Sequence, residues 1–492
     1  MNIALLIIVL GVLLALGLGL AARLGHDMRL ESWTVGNRGF GAVLVFILLA
    51  GEIYTTFTFL GAAGWAYGLG APAFYILAYG AIAYALSYFM LPSVWRFARA
   101  NNLVSQPDFF ATKYGSPGLG VLVAIVGIVA LIPYLVLQFT GLAVIVQAAS
   151  FGAVPKSVSV LLGAVVVSAY VVASGIRGSA WTSFVKDGLI IVIAIFLGLY
   201  LPYHYQGGLG AMFAAIDHAK PGFLSFAASG HSVTWFVSTV ILTALGFFMW
   251  PHSFAACFSA RNENVFRKNA IILPLYQLVL LFIFFVGFAA VLVVPGLKGA
   301  ATNMALLKLV IATFPPWVVG IVGATGVLTA LVPGSLILVT ASTLLARNLV
   351  AALVPNTAEP EREVRLAKML VPVVALVGAY FAISGNDTIV SLLLMGYAFV
   401  TQLFPAMILS LSPRNPLTRQ GAIVGILVGV AAVVYFTMTG MTVAKLWPEG
   451  PEVLRDINIG TVSLILNLIA ALIVSAATAV AERRPALSRR SG

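Results

Sequence analysis

Charge and cysteine are both scarce in this sequence. Only 9% of its 492 residues are charged, whereas soluble globular domains carry about 25% charged residues. Because 61% of the residues are hydrophobic, we exclude a soluble globular domain. The single cysteine, Cys257, excludes a disulfide framework, a cysteine zinc site and an iron–sulfur cluster. We interpret Cys257 as a small apolar residue of the interior.

The apolar residues form long continuous runs. Runs such as MNIALLIIVLGVLLALGLGLAA have the length of a membrane-crossing helix, about 20 residues, whereas the strands of a membrane barrel alternate every second residue. The predicted fold is therefore an all-α integral membrane protein with about 13 transmembrane helices. Their expected bounds are 2–22, 41–65, 72–98, 119–149, 157–176, 181–202, 233–258, 270–296, 315–346, 367–384, 388–411, 420–440 and 458–481.

The net charge of +12 follows the expected topology. No basic stripe with interleaved aromatic residues indicates nucleic-acid binding. If the N-terminus lies outside, twenty lysines and arginines fall in cytoplasmic segments and six in external ones, as the positive-inside rule requires. We therefore expect a multi-pass protein of the cell inner membrane, with an uncleaved first span, the N-terminus outside and the C-terminus in the cytoplasm.

Two predicted spans contain residues that interrupt helices. The second span carries glycines around a threonine cluster, and the seventh has Gly246 and Pro251 on either side of a short segment. Interrupted helices that open two successive five-span blocks are typical of inverted-repeat transporters. We expect one transporter domain, with an extra helix and loop at 1–40, repeats at 41–202 and 233–411, and two last helices with a basic tail at 412–492.

A carboxylate lies in the interrupted second span. A charged Glu52 is costly within the bilayer, so it should pair with a cation or take up a proton. We interpret Glu52 as the coupling residue. The alternative is a glutamate that hydrogen-bonds to the neighbouring backbone and holds the unwound segment open.

Polar side chains near both interruptions are candidates for substrate binding. His252 follows Pro251 and can donate to a carboxylate or relay a proton; a packed structural donor is the alternative. Tyr134 and Gln138 are four residues apart and share one face of the fourth span, with interhelical hydrogen bonding as the alternative. The set of candidates is Thr55, Thr56, Tyr134, Gln138, Trp250 and His252.

Lys186 and Asp187 begin the predicted sixth span. Adjacent residues on a helix do not face each other. We expect Lys186 to extend toward the membrane interface and Asp187 to form an interfacial ion pair, with a gating role as the alternative. No lysine or arginine is then expected at the centre of a span.

Several stretches resemble the sodium:solute symporter family. ESWTVGNRGFG (Glu31 to Gly41) is similar to the segment before the family's second span. GIRGSAWTSFVKDGL resembles its loop into the sixth span, usually G-x-x-A-x-x-W-T-D-x-x-Q, and LSPRNPLTRQGAIVGILVG its junction before span twelve. Within the family, IPYLVLQ and MWPHSFAACFSAR look most like bacterial monocarboxylate permeases. The resemblance implies a LeuT-type core of ten helices, spans 2–11.

The resemblance also implies a sodium site between the second and ninth spans. Its two backbone carbonyls fall on Gly51 and Tyr54, and its first position in span nine falls on Thr329. The two positions that normally carry hydroxyls hold Val332 and Pro333.

Sodium is a hard cation that needs several oxygen ligands, and valine and proline side chains supply none. Backbone carbonyls with Thr329 can suffice, or Ser335 can substitute after a shift of helix register; otherwise the coupling ion is not sodium. The family's W-T-D motif is altered as well, because Ser183 replaces its aspartate and Lys186 its glutamine.

These observations predict a symporter that imports a small organic monocarboxylate of the lactate, pyruvate or acetate type by alternating access. We favour proton over sodium coupling. The alternatives are a sodium-coupled carrier of a sugar, proline or urea, and a channel. An enzyme is not expected, because neither a metal-spaced histidine motif nor a Ser-His-Asp set appears. We expect no cofactor, no nucleic acid and no obligatory protein partner, only the anionic substrate, its cation and membrane lipid.

Overall fold

The computed structural model describes residues 2–23, 33, 35–354 and 360–488. Within those ranges, side chains are not described for Arg23, Asn37, Glu52, Arg177, Leu353, Pro360 and residues 480–488. The backbone of Glu52 is described and is helical. The predicted role of its carboxylate therefore falls outside the described part of the protein.

Helices make up the described chain, and no β-strand occurs in it. The first half contains α1 (Ile3–Arg23), α2 (Ala42–Ile53), α3 (Ala62–Leu69), α4 (Tyr75–Ala100), α5 (Gln106–Tyr114), α6 (Pro117–Ala149), α7 (Lys156–Gln206) and α8 (Leu209–Ala219). The second half contains α9 (Val233–Gly246), α10 (Pro251–Phe258), α11 (Asn264–Gln277), α12 (Leu280–Val293), α13 (Ala305–Thr313), α14 (Pro316–Thr343), α15 (Ala351–Leu353), α16 (Pro360–Ser384), α17 (Ile389–Val400), α18 (Phe404–Ser410), α19 (Arg419–Thr439), α20 (Val443–Leu446), α21 (Glu452–Arg455) and α22 (Ile459–Ser488).

Short tighter and wider turns join several of these helices. Five are 3₁₀-helical: Gly36–Arg38, Ala71–Phe74, Phe247–Met249, Gly299–Met304 and Thr401–Leu403. Two are π-helical, Phe57–Gly61 and Leu344–Val350. Wide turns of this kind are rare and often accompany functional sites.

The all-α membrane class is confirmed, but the count of thirteen spans is not. Eleven helices among the described residues are long and apolar enough to cross a membrane, or twelve if the bent pair at 233–258 is one span. The predicted second span accounts for the difference, because residues 42–69 form no single helix of sufficient length.

That predicted second span is interrupted at Tyr54 and Thr55. Tyr54 leaves the helical region with φ −90° and ψ 82°. The hydroxyl of Thr58 bridges the gap: it donates to the carbonyl of Ile53 at 2.7 Å and accepts from the backbone N–H of Thr55 at 2.9 Å. The threonine therefore satisfies backbone groups that the unwound turn leaves open.

The predicted seventh span is interrupted at Trp250. Its backbone is extended there, with φ −64° and ψ 133°, and α10 begins at Pro251. The two halves of the span meet at 50°. The side chain of Gln106 donates to the carbonyl of Met249 at 2.6 Å and so caps the broken end.

The 51-residue helix α7 consists of two spans joined at a kink. Gly175 has φ +57° within it, a conformation that favours glycine. A Cβ atom at Gly175 would lie 2.4 Å from Cδ1 of Trp33. The close packing of Trp33 therefore requires glycine, and the second span of α7 starts at Gly178.

Candidate transport site

The first interruption is occupied by a lysine side chain. The ammonium of Lys186, on α7, donates to the carbonyl of Gly51 at 3.4 Å and to that of Tyr54 at 3.1 Å. The Lys186 side chain is 0% exposed. The unwound end of α2 is thus held against α7 by a cation that belongs to the protein.

Lys186 also forms an ion pair with the next residue in the chain. Its Nζ lies 2.8 Å from Oδ1 of Asp187, whose side chain is 5% exposed. The carboxylate faces the phenols of Tyr54 and Tyr276, and those two rings pack edge to face with centroids 4.8 Å apart. The charge of the ammonium is therefore balanced inside the bundle.

The expectation that Lys186 extends to the membrane interface was wrong. The second span of α7 starts at Gly178, not at the predicted residue 181, and eight residues of helix place Lys186 about 12 Å inside it. Lys186 is a buried lysine within the span rather than one at its interfacial end. The ion pair of Asp187 is buried rather than interfacial.

The residues expected on the ninth span lie on α14. The hydroxyl of Thr329 donates to the carbonyl of Gly326 at 2.6 Å, within its own helix. The hydroxyl of Ser335 lies 2.6 Å from the carbonyl of Val332 and 2.6 Å from Oγ of Ser179 on α7. Pro333 is buried inside the same helix.

Side chains of α7 and α14 lie close to Gly51 of α2. A Cβ atom there would lie 3.3 Å from Oγ of Ser183, 3.7 Å from Nζ of Lys186 and 4.0 Å from a methyl carbon of Val332. A side chain at this position would make a tight contact with the Ser183 hydroxyl. The α14 atom nearest to this Cβ position is the methyl carbon of Val332, not an oxygen.

Aromatic rings enclose the second interruption. Tyr134 on α6 contacts the rings of both Trp250 and His252, with centroid separations of 4.9 and 5.4 Å. Tyr397 on α17 covers Trp250 at 5.2 Å. Trp250 is 2% exposed and His252 3%. The cluster is closed to bulk water in this conformation.

Gln138 connects the two interruptions. Its Oε1 accepts from the hydroxyl of Thr56 at 2.9 Å, and it lies one helical turn after Tyr134. The hydroxyl of Thr55 accepts from the backbone N–H of Phe57 at 3.1 Å. Of the two predicted threonines, Thr56 therefore contacts another candidate residue, while Thr55 serves the backbone.

Three buried nitrogens of this cluster have no hydrogen-bond partner among the described residues. They are Nε2 of Gln138, Nδ1 of His252 and Nε1 of Trp250. Buried polar atoms are nearly always paired, and an unpaired one costs about 1–3 kcal/mol. A ligand oxygen that accepts from such a nitrogen where it carries a proton would remove that cost.

A cavity of about 630 Å³ opens at the end of the bundle where α9 begins. Its lining includes Trp65, His231, Trp235, Met395, Arg455, Asp456 and Asn458. Burial lowers the pKa of His231 from its ordinary value, so the ring adds no charge at neutral pH. Ring contacts of 5.2–5.9 Å lead from this cavity to the second interruption through Trp65, Tyr75, Tyr79, Tyr397 and Trp250.

Ion pairs close the opposite end of the bundle. Arg347, in the π-helical turn after α14, contacts Asp108 at 3.3 Å and Glu363 at 3.1 Å. Arg96 pairs with Glu263 at 3.0 Å at the same end. The cavity therefore lies at one end of the described bundle and these ion pairs lie at the other.

An all-helical membrane fold with two interrupted spans is the architecture of LeuT-type transporters. A solved structure of a sodium-coupled sialic acid symporter matches the fold with a TM-score of 0.78 and 16% identity, over 96% of this chain and 97% of that one. The sequence pattern of the sodium:solute symporter family matches residues 33–429. The chain belongs to the sodium:solute symporter family, and is a cation-coupled symporter with many membrane-spanning helices.

Two relatives match nearly the whole chain. An uncharacterized symporter of Bacillus subtilis, YhjB, is 58% identical over 482 residues, 98% of each chain. A monocarboxylate transport permease of Rhizobium johnstonii is 27% identical over 461 residues, 91% of this chain and 90% of that one. Both support the family assignment.

The family implies a sodium ion at the first interruption, and the residues of this chain do not fit one. The carbonyls of Gly51 and Tyr54 already accept from an ammonium. The nearest group of α14 is a valine methyl. Sodium requires oxygen ligands, and we derive no step through it.

Sequence reasoning missed three residues of the site. Tyr397 covers Trp250, Tyr276 faces Asp187, and Ser179 contacts Ser335. Their positions depend on how distant helices pack, which single-sequence periodicity does not encode. The replacement of the motif's glutamine by Lys186 was a signal that could have been followed further, because it changes the charge at a family position.

Proposed function

We propose that this protein imports a small organic monocarboxylate by alternating access, and that its transport is coupled to a proton gradient rather than a sodium gradient. Lactate, pyruvate and acetate are the substrates of this class. The observation that carries the proposal is the pair of unpaired buried nitrogens on Gln138 and His252 beside the second interruption.

A substrate carboxylate can accept hydrogen bonds from the nitrogens of Gln138 and His252. Gln138 is four residues after Tyr134, and the His252 ring lies 5.4 Å from that of Tyr134, so the three side chains border one region. A carboxylate has two oxygens and accepts a hydrogen bond at each of them. Trp250 and Tyr397 supply apolar walls for a short carbon chain. We assign substrate binding to Thr56, Tyr134, Gln138, Trp250 and His252, with Thr55 as support.

One carboxylate is favoured over two. The buried cation of the site, Lys186, is neutralised by Asp187 at 2.8 Å. A co-transported proton would neutralise one carboxylate, whereas a dicarboxylate would keep a second negative charge beside described side chains that offer no further cation, and unpaired charges are strongly disfavoured there. The local charge balance therefore supports a monocarboxylate.

Proton coupling is supported by the lack of hydroxyl ligands for sodium at the two positions of α14 where the family carries them. Val332 and Pro333 stand where hydroxyls are expected, and the hydroxyls of Thr329 and Ser335 bond to carbonyls of their own helix. We propose Glu52 as the proton carrier. Glu52→Gln should abolish accumulation of substrate while leaving counterflow exchange; loss of neither would contradict that role.

We also propose the direction of transport and the orientation. The distribution of lysine and arginine supports an orientation with the N-terminus outside and the C-terminus in the cytoplasm, and we propose the cell inner membrane as its location. In that orientation the 630 Å³ cavity faces outward and the ion pairs of Arg347 close the cytoplasmic side.

Uptake by purified protein in vesicles tests the proposed function. Sodium and pH gradients are imposed separately, and labelled lactate, pyruvate, acetate and proline are compared. We expect saturable uptake of the three monocarboxylates, driven by an inward proton gradient. Uptake of proline, urea or a sugar under a sodium gradient alone would favour the alternative carrier and contradict the proposal. Flux without saturation or accumulation would indicate a channel.

A further inference from the structure

We infer that the ammonium of Lys186 takes the place of a sodium ion at the first interruption, so that this symporter works with no sodium bound there. The inference deepens the proposed function by naming the cation that holds the unwound turn. It rests on that function only in that the site must open and close during transport.

The oxygens around Nζ of Lys186 are suited to a cation. A lysine ammonium has three N–H donors and no acceptor. Three oxygens surround Nζ of Lys186: the carbonyl of Tyr54 at 3.1 Å, that of Gly51 at 3.4 Å and Oδ1 of Asp187 at 2.8 Å. Both carbonyls of the unwound turn therefore accept hydrogen bonds from the ammonium, and the carboxylate beside it supplies an opposite charge as an ion pair.

Side chains occupy the space beside Gly51 in which a sodium ion would have to lie. Nζ of Lys186, Oγ of Ser183 and a methyl of Val332 all lie within 4.0 Å of the position of a Cβ on Gly51. The cleft between α2, α7 and α14 is filled by these groups. A sodium ion beside the ammonium would meet a like charge in a buried region, where the repulsion of charges is poorly screened.

The groups that surround the ion pair of Lys186 and Asp187 come from α2, α7, α11 and α14. On α7, Asp187 supplies the one negative charge that the described side chains place beside Lys186. The phenols of Tyr54 on α2 and Tyr276 on α11 face that carboxylate, and α14 presents Val332. The ammonium is thus the single cation among the described side chains of this cleft.

The consequence is a mechanical link between two helices. Lys186 is covalently part of α7 and bonds to the end of α2, so separation of these helices must break two hydrogen bonds and expose a charge. Sodium dissociates into water when such a site opens, whereas a lysine stays. The same closing contact is therefore available in every cycle at any sodium concentration.

The wild-type full-length protein gives the first test. Its thermal unfolding midpoint and its binding of radioactive sodium are measured in detergent, with choline chloride replacing sodium chloride at constant ionic strength. We expect no saturable sodium binding and no change of midpoint on replacement. Saturable binding of sodium, or a midpoint that rises with sodium concentration, overturns the inference.

Variants of the lysine give the second test. Lys186→Gln restores the residue usual at this position of the family motif but removes the charge, and we expect at least a tenfold lower uptake rate. Lys186→Arg keeps the charge and should retain part of the uptake without acquiring a need for sodium. Lys308→Gln, an exposed lysine on α13, is the matched control and should behave as wild type. Wild-type uptake by Lys186→Gln overturns the inference; if that variant does not fold, a sodium requirement in Lys186→Arg does so.

The two proposals fail separately. If the wild-type protein neither binds sodium nor takes up a monocarboxylate, the proposed substrate is contradicted and the inference about Lys186 stands. Wild-type protein that takes up monocarboxylates only with sodium contradicts the inference, together with proton coupling, and leaves the substrate class in place.

Discussion

The buried pair of Lys186 and Asp187 is the residue-scale feature on which the site depends. Each charge alone would be costly within a membrane protein. Together they are tolerated because the ammonium reaches the carboxylate and two carbonyls at once. Buried pairs of this kind fix geometry, and their loss on one side leaves an uncompensated charge.

Asp187→Asn tests this dependence. The substitution keeps the shape of the side chain but leaves the Lys186 ammonium without its counter-charge. We expect the unfolding free energy to fall by about 3 kcal/mol, recorded as a lower unfolding midpoint in detergent. Asp217→Asn, an exposed aspartate on α8, is the matched control. Equal unfolding midpoints for the two variants would show that the Lys186–Asp187 pair does not stabilise the fold.

Gln138 and His252 are expected to bind the substrate carboxylate. Gln138→Leu and His252→Phe each remove one hydrogen bond to a charged group, so affinity for the monocarboxylate should fall about tenfold, or about 1.4 kcal/mol. Competition of unlabelled substrate against labelled uptake measures the change. His218→Phe, at an exposed position of α8, should leave affinity unaltered. Affinity within twofold of wild type in both site variants would exclude these side chains from the binding site.

Sequence alone gave part of the residue-scale account. The resemblance to the family identified the carbonyls of Gly51 and Tyr54 and the missing hydroxyls at Val332 and Pro333. It did not bring Lys186 to those carbonyls, because a helix start that is misplaced by three residues changes depth by about 4.5 Å. Because of this difference in depth, Lys186 was predicted at the membrane interface rather than in the interior.

At the scale of elements, both interruptions were predictable. Pro251 cannot continue a helix in its interior, and the chain bends by 50° immediately before it. The glycines and threonines of the first break indicated an unwound turn, and Thr58 completes it by bonding to Ile53. The contacts of the breaks with α6, α7 and α17 were not predictable, since they are fixed by packing between distant segments.

The π-helical turn after α14 is expected to control the closed end of the bundle. Arg347→Gln removes its contacts with Asp108 and Glu363. Two partly exposed ion pairs contribute about 1.4 kcal/mol together, so the closed state should open about tenfold more often.

The rate at which a maleimide labels Cys257 measures this opening. Cys257 is the single cysteine of the sequence and is 1% exposed on α10. Arg267→Gln, which removes an exposed contact of 3.9 Å at the same end, is the control and should label as wild type. An unchanged labelling rate in Arg347→Gln would mean that these ion pairs do not hold the end closed.

At the scale of the whole molecule, composition and run length were sufficient for the class. The all-α membrane fold follows from apolar runs of spanning length, and the family from motifs spread along the chain. The number of spans did not follow, because residues 42–69 are apolar enough to be counted as one helix yet form only short ones. The bounds of the two repeats stay a prediction.

The described conformation has different features at its two ends. A cavity is open at the end that holds Trp65 and Trp235, the Trp250 cluster is buried, and ion pairs join helices at the other end. The proposed alternating access requires the reverse arrangement as well, so we expect α2 and α10 to move relative to α7 while Lys186 holds or releases the unwound turn.

A recording of proton movement in sodium-free vesicles tests the central claim most directly. Purified full-length protein is reconstituted with a pH-sensitive dye inside, and pyruvate is added outside in choline buffer, with protein-free vesicles as the reference for passive entry. The account predicts saturable acidification of the interior above that reference. No acidification without sodium, together with pyruvate uptake once sodium is supplied outside, would contradict it.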